Sequence, residues 1–241
     1  EEFSLEFQPQ ISCETGKTAG IEALLRWTTD NRRVPPDRFI PILEQTGLIY
    51  DVGLWVLEQT LKEHTVLVSK GFAPLRVSVN LSVVQFEGED FISDFAKIIE
   101  ESRVDPKYIE MEITESLFSK DPEDVLKKIF ELKGLGVGIA IDDFGRGYST
   151  LSRLKLVPFD RLKIDKEIID YIYSGDEGSQ LTENIISLAR IYKASVTAEG
   201  VETKEQADLL KSISCDEIQG YYYSKPLSLE ALEEFLKKES G

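Results

Sequence analysis

The feature that most constrains how this 241-residue chain can fold is an alternation of short β-like runs with helical patterns. Period-2 runs lie near 3–9, 20–27, 76–81, 108–113, 137–142, 161–165, 195–199 and 217–221. Patterns of period 3.6 separate most of them. The first two are joined only by Glu14-Thr15-Gly16-Lys17, which suits a hairpin and predicts an antiparallel pair. From the third run onward the rhythm is β-α. Eight strands in a chain of this length predict an α/β fold, a (β/α)8 TIM-like barrel with an irregular first strand. A doubly wound open sheet is the competing arrangement.

Local signals support the helices. Asp121-Pro122 reads as N-cap and first helical residue, Thr203 with Gln206 reads as a capping box, and Gly47, Gly71 and Gly134 suit helix C-termini. No linker, charge block or repeat divides the chain, so residues 1–241 are expected to form one domain. Because the chain begins inside a strand-like segment, it is expected to be a domain excised from a longer multidomain protein. A formal charge of −16 disfavours nucleic-acid polymers and anionic membranes as partners. No apolar run approaches a membrane span, and there is no leader-like N-terminus, so a cytoplasmic setting is expected. Cys13 and Cys215, 202 positions apart, read as free and inert thiols in a reducing compartment.

In a barrel of this kind the site lies at the C-terminal ends of the strands. The polar residues delivered there are Gln8, Glu22, Asn80, Glu112, Asp142 with Asp143, Lys163, Glu199 and Gln219. Converging carboxylates are costly to desolvate unless cations neutralise them, and one lysine is too few. An all-oxygen donor set of Glu22, Asn80, Glu112, Asp142 and Asp143 suits Mg²⁺ or Mn²⁺. The single histidine, His64, falls within a helical pattern, which removes His-ligated zinc and a Ser-His-Asp triad. Asp142-Asp143 suits two metals, since one carboxylate can bridge, although an Asp pair before Phe-Gly is also ordinary turn chemistry. Lys163 reads either as a salt-bridged lysine or as a cation beside the reacting water. Glu199 reads either as an isolated turn acid or as a general base. Arg26 either pairs with surface acids or meets a phosphate, Tyr221-Tyr222-Tyr223 either packs on the rim or walls a pocket, and Phe144–Ser149 is a tight turn or a glycine-hinged lid. These residues alone also suit a Mg²⁺-dependent barrel enzyme acting on another phosphorylated or enolisable substrate.

An ordered series of motifs narrows this choice. FQP at 7–9, Glu22-Ala23-Leu24 followed by Leu25-Arg26-Trp27, FIPILEQTGLI at 39–49, VNLS at 79–82, EITES at 112–116, IDDFGRGYSTL at 141–151, LKID at 162–165, AEGVET at 198–203 and QGYYYSKPL at 219–227 span the chain. Together they resemble the EAL family of cyclic-di-GMP phosphodiesterases. The resemblance implies a barrel whose first strand is antiparallel, and hydrolysis of cyclic di-GMP to linear pGpG. It implies two Mg²⁺ or Mn²⁺ ions held by Glu22, Asn80, Glu112 and Asp142, with Asp142 and Asp143 serving the second. Lys163 and Glu199 would position and deprotonate water. Gln8, Leu24, Arg26 and Gln219 would contact the dinucleotide, Glu115 would organise the loop after Asp143, and Glu202 would support the second metal. Degenerate members of the family are thought to be non-hydrolysing cyclic-di-GMP receptors, which is the alternative reading. The resemblance also implies a homodimer, for which Leu154, Val157, Ile168, Ile169 and Ile172 offer an apolar patch if they do not pack on the barrel. It allows sensor or GGDEF domains elsewhere in a longer chain. Where this chain has Arg146 the family often carries Thr, a difference expected to bear on loop motion and turnover.

Overall fold

The computed structural model describes residues 2–114, 117, 122–145, 155–172 and 176–240. Strands β1 (Phe3–Ser12) and β2 (Thr18–Thr29) form the expected antiparallel hairpin, with Gln8 opposite Glu22. After them come β4 (Arg76–Leu81), β5 (Ile109–Thr114), β6 (Gly138–Phe144), β7 (Arg161–Ile164), β8 (Ser195–Ala198) and β9 (Glu217–Ile218), each parallel to its predecessor in the wall. β2 pairs with β4, and β9 returns antiparallel to β1, so eight strands close into a barrel with one reversed member.

A ninth strand, β3 (Arg32–Val34), was not legible in the sequence. It folds back on β2 beyond the barrel wall, through a turn in which Asp30 and Asn31 both take positive φ, 49° and 59°. Two residues that tolerate that conformation can make the tight hairpin, which a strand this short cannot announce by periodicity.

The helices are α1 (Pro36–Thr46), α2 (Ile49–Ser69), α3 (Val83–Phe86), α4 (Phe91–Ser102), α5 (Pro122–Gly134), α6 (Lys166–Tyr171), α7 (Asp176–Ile191), α8 (Lys204–Ser212) and α9 (Leu229–Ser240). Gly47 ends α1 at φ 75°, and Thr203 and Gln206 cap α8 reciprocally, as expected. Gly134 does not end α5 as a left-handed residue. It is still helical, and Gly136 takes φ 91° instead. Asp121 lies outside the described residues. Among the described residues no helix is long and apolar enough to cross a membrane.

Period 2 sorts the strand residues to two faces. Val77, Val79, Ile109, Met111, Ile139, Ile141, Leu162, Ile164 and Val196 point outward and are buried against the helices, where the main core lies. Val157, Ile168, Ile169 and Ile172 belong to that core, so they pack on the barrel and do not form the apolar surface patch considered from sequence. Leu154 lies outside the described residues. The inward face is polar. Its lower layer joins Arg76 and Arg161 to Glu110 and Glu217 at 2.5–3.2 Å, and Gln10 accepts a hydrogen bond from Arg76 at 2.6 Å.

Candidate active site

The upper inward layer forms the barrel mouth, and Lys163 is its hub. Leu162 and Ile164 face the core, so the intervening lysine must face the barrel interior, where it is fully buried. Its Nζ lies 2.6 Å from Glu112 Oε2, 2.6 Å from Glu199 Oε1, 3.3 Å from Asp142 Oδ1 and 3.4 Å from Glu22 Oε2. Gln219 donates to Glu22 at 2.6 Å and to Gln8 at 3.2 Å, while Asn80 donates to the other Glu22 oxygen at 2.7 Å. The structure thus unites Gln8, Glu22, Asn80, Glu112, Asp142, Lys163, Glu199 and Gln219, which the sequence placed on eight separate strand-like runs; Glu199 and Gln219 stand one residue past the ends of β8 and β9.

The electrostatics follow from four carboxylates around one ammonium. Burial opposes the Lys163 charge, but Asp142, Glu112, Glu199 and Glu22 outweigh it and hold Lys163 protonated well above its ordinary range. Burial also opposes ionisation of Glu22, yet Lys163 and the amides of Gln219 and Asn80 bring it below the usual carboxylate value. Glu112 is pushed well up by burial and by Glu22, against the pull of Lys163. Burial raises Glu199 to about 8, with Asp142 and Glu22 adding to the effect and Lys163 resisting it.

Asp142 and Asp143 owe their placement to a β-bulge. Ile141 pairs with Leu162 and Phe144 with Ile164, so both aspartates stand against the single residue Lys163. Asp143 absorbs the extra residue at φ 53°, a conformation that Asp tolerates better than most side chains. At the opposite wall Gly220 permits close approach. A Cβ there would sit 2.1 Å from the Val201 carbonyl oxygen, so any larger residue would push β9 and Gln219 away from the mouth.

Two cavities open at this end, one lined by Glu22 and the other by its neighbours Ala23 and Leu24. One, of about 360 Å³, is lined by Glu22, Asp142, Lys163, Glu199, Glu202 and Tyr221 among others. The other, of about 350 Å³, is more apolar and is lined by Leu24, Arg26, Ile40, Val52, Asn80 and Val83 among others. Arg26 is therefore near the mouth but outside the lysine cluster. It donates to Glu6 at 2.8 Å, and Arg33 shares the same oxygen at 2.6 Å. Glu202 stands on the rim, paired with Lys166 at 3.0 Å. Tyr221 is largely exposed, and Lys225 lies over its ring. Glu115 and Arg146 lie outside the described residues.

Among the described residues no three His, Cys, Asp or Glu side chains are already arranged to hold a metal ion, because the carboxylates are drawn onto Lys163. The donor chemistry nevertheless fits one. Among the described residues Glu112 Oε1 is buried without a hydrogen-bond partner and Asp142 Oδ1 has only the Lys163 ammonium at 3.3 Å, and under-satisfied carboxylate oxygens beside further acids are what a hard divalent cation satisfies.

Sequence reasoning missed the lower layer of Arg76, Glu110, Arg161 and Glu217. A signal was present: these residues sit two or four positions before Asn80, Glu112, Lys163 and Gln219, on the same face of the same strands.

An α/β barrel with one reversed strand and a lysine-centred acidic mouth is the class defined by this fold and site. Within that class, the chain belongs to the EAL domain family, whose model matches residues 1–226. It is 38% identical over 237 residues to the signaling protein YkoW of Bacillus subtilis, covering 98% of this chain and 30% of that one. It is 33% identical over 238 residues to the cyclic di-GMP phosphodiesterase NbdA of Pseudomonas aeruginosa, covering 98% and 30%. A solved structure, the PaMucR phosphodiesterase in complex with c-di-GMP, superposes with a TM-score of 0.90 at 33% identity, covering 96% of this chain and 94% of that one. The chain thus spans about a third or less of the curated relatives' own length.

Proposed function

We propose that this domain hydrolyses one 3′-5′ phosphodiester bond of cyclic di-GMP to give linear pGpG, using two Mg²⁺ or Mn²⁺ ions. The observation that carries this reading is the convergence of Glu22, Glu112, Asp142 and Glu199 on Lys163 at the barrel mouth, with Glu112 Oε1 buried and without a hydrogen-bond partner among the described residues. The names of the relatives support the substrate.

Glu22, Asn80, Glu112 and Asp142 would hold one ion, with Asp142 and Asp143 contributing to the second. Such ions supply Lewis acidity for activating water and positive charge for a phosphodiester. The chain's own residues do the rest. Lys163 fixes Glu199 Oε1 at 2.6 Å, and Glu199 takes the proton from the attacking water as its oxygen bonds to phosphorus. The bond from phosphorus to the 3′ oxygen breaks, and that oxygen takes a proton from solvent and leaves as a hydroxyl. Gln8, Gln219, Leu24 and Arg26 line the two cavities and would hold the dinucleotide across Glu22-Ala23-Leu24. Glu202 would support the second ion from the rim.

The same reading takes the domain as one catalytic unit of a longer signalling protein that works as a homodimer, for which sedimentation of the isolated domain is the check. The test of activity is chromatography of cyclic di-GMP after incubation with the domain and Mg²⁺ or Mn²⁺, with EDTA as control. Metal-dependent pGpG is expected. Intact substrate that is nevertheless bound in calorimetry would move the domain to the receptor class.

A further inference from the structure

The barrel closes where β1 meets β9, through only two residue pairs, Ile11 with Ile218 and Ser12 with Glu217. One step beyond, the Cys13 amide donates to the Asp216 carbonyl at 2.9 Å, which carries Cys13 alongside Cys215. The only two cysteines of the chain, 202 positions apart, thus meet on this seam. The Cys215 thiol donates to the Glu217 carbonyl at 3.2 Å, and the Cys13 thiol lies beside it. Both line one cavity of about 400 Å³, at the end of the barrel away from the lysine cluster. Cys13 is partly exposed and Cys215 is buried.

The two sulfurs differ in the way a reactive pair requires. Contact with Cys215 lowers the Cys13 thiol, with Lys211 assisting, while burial, Asp216 and Glu217 oppose. The same contact and burial raise Cys215 well above the ordinary thiol range. Cys13 is therefore the nucleophile and Cys215 the proton-bearing partner.

We propose that Cys13 and Cys215 form a reversible disulfide under hydrogen peroxide, fastening the closing seam of the barrel. The Cys13 thiolate attacks one peroxide oxygen and the O–O bond breaks, giving a sulfenic acid and hydroxide, which is protonated to water. The Cys215 sulfur then attacks the Cys13 sulfur. The S–S bond forms, the S–O bond breaks, and the Cys215 proton leaves with the departing oxygen as a second water. Two thiols lose two electrons and one peroxide gains them. A dithiol reverses the reaction by exchange. In a reducing compartment the pair would stay open and close only under oxidant.

The test treats the folded domain with hydrogen peroxide, denatures it in iodoacetamide and reads mass. A loss of about 2 Da, no alkylation at either cysteine and a Cys13–Cys215 linked peptide are expected, all reversed by dithiothreitol. The oxidised form should also melt higher, by on the order of 5 °C, because the bond closes a very long loop. Cys13→Ser should show no loss of two hydrogens and should leave Cys215 alkylatable, and because Cys13 is partly exposed and Cys215 is buried, the variant at Cys13 is the one that keeps the fold. Alkylation of both cysteines after peroxide, oxygen adducts without a linked peptide, or a disulfide only between two molecules would each overturn the proposal.

Discussion

At the residue scale, the mouth works through the imbalance between one buried ammonium and four acids. Glu22 touches Asn80, Gln219 and Lys163, and its carboxylate is a proposed metal ligand. Glu22→Ala is expected to abolish metal-dependent turnover, as measured by pGpG formation, and appreciable activity would refute the assignment. Glu199→Gln keeps size and a hydrogen-bonding oxygen but cannot take a proton. It should bind cyclic di-GMP in calorimetry while kcat falls by about 100-fold or more. His64 gives a prediction unrelated to catalysis. Burial in α2 lowers its pKa from 6.5, with the Leu75 backbone opposing weakly. The unfolded chain therefore binds the His64 proton more readily than the folded one. The stability linked to this group is complete above about pH 6.5 and is lost as pH falls toward the lower folded value. Urea midpoints at about pH 7.5 and pH 5.5 should differ more for the wild type than for His64→Leu.

At the element scale, the bulge between β6 and β7 does what no regular strand can. It sets two successive residues, Asp142 and Asp143, opposite the one residue Lys163, and Asp142 reaches its ammonium. Asp143→Asn should keep the fold, because Asn also accepts positive φ, while weakening metal dependence in a Mn²⁺ titration of activity. Asp143→Val should in addition cost about 1–3 kcal/mol in urea denaturation, since a β-branched residue is strained at that conformation. The motif IDDF was visible in sequence, but its geometry was not. A bulge depends on how β7 is registered beside it, and register belongs to two strands at once.

At the scale of the whole molecule, the barrel inverts the usual distribution for such folds: its apolar core lies outside the strands, and its interior holds two polar layers. The lower layer pairs two arginines with two glutamates, and Arg76 and Arg161 hold Glu110 below its usual range against the cost of burial. Removing one member strands a buried charge, so Arg161→Met should cost about 3–5 kcal/mol in urea denaturation. Local periodicity in the chain determined the succession of strands and helices, the reversed hairpin, and the residue types at the strand ends, because period 2 and period 3.6 are written within a few residues. The same periodicity determined that Lys163 faces away from Leu162 and Ile164. Only the closed barrel decided that Lys163 would meet acids from β2, β5, β6 and the end of β8, that Arg26 would be engaged by Glu6, and that Cys13 would reach Cys215. Those contacts depend on strand order and stagger around a ring, which are set by long-range packing of all eight strands and cannot be carried by any one segment of sequence.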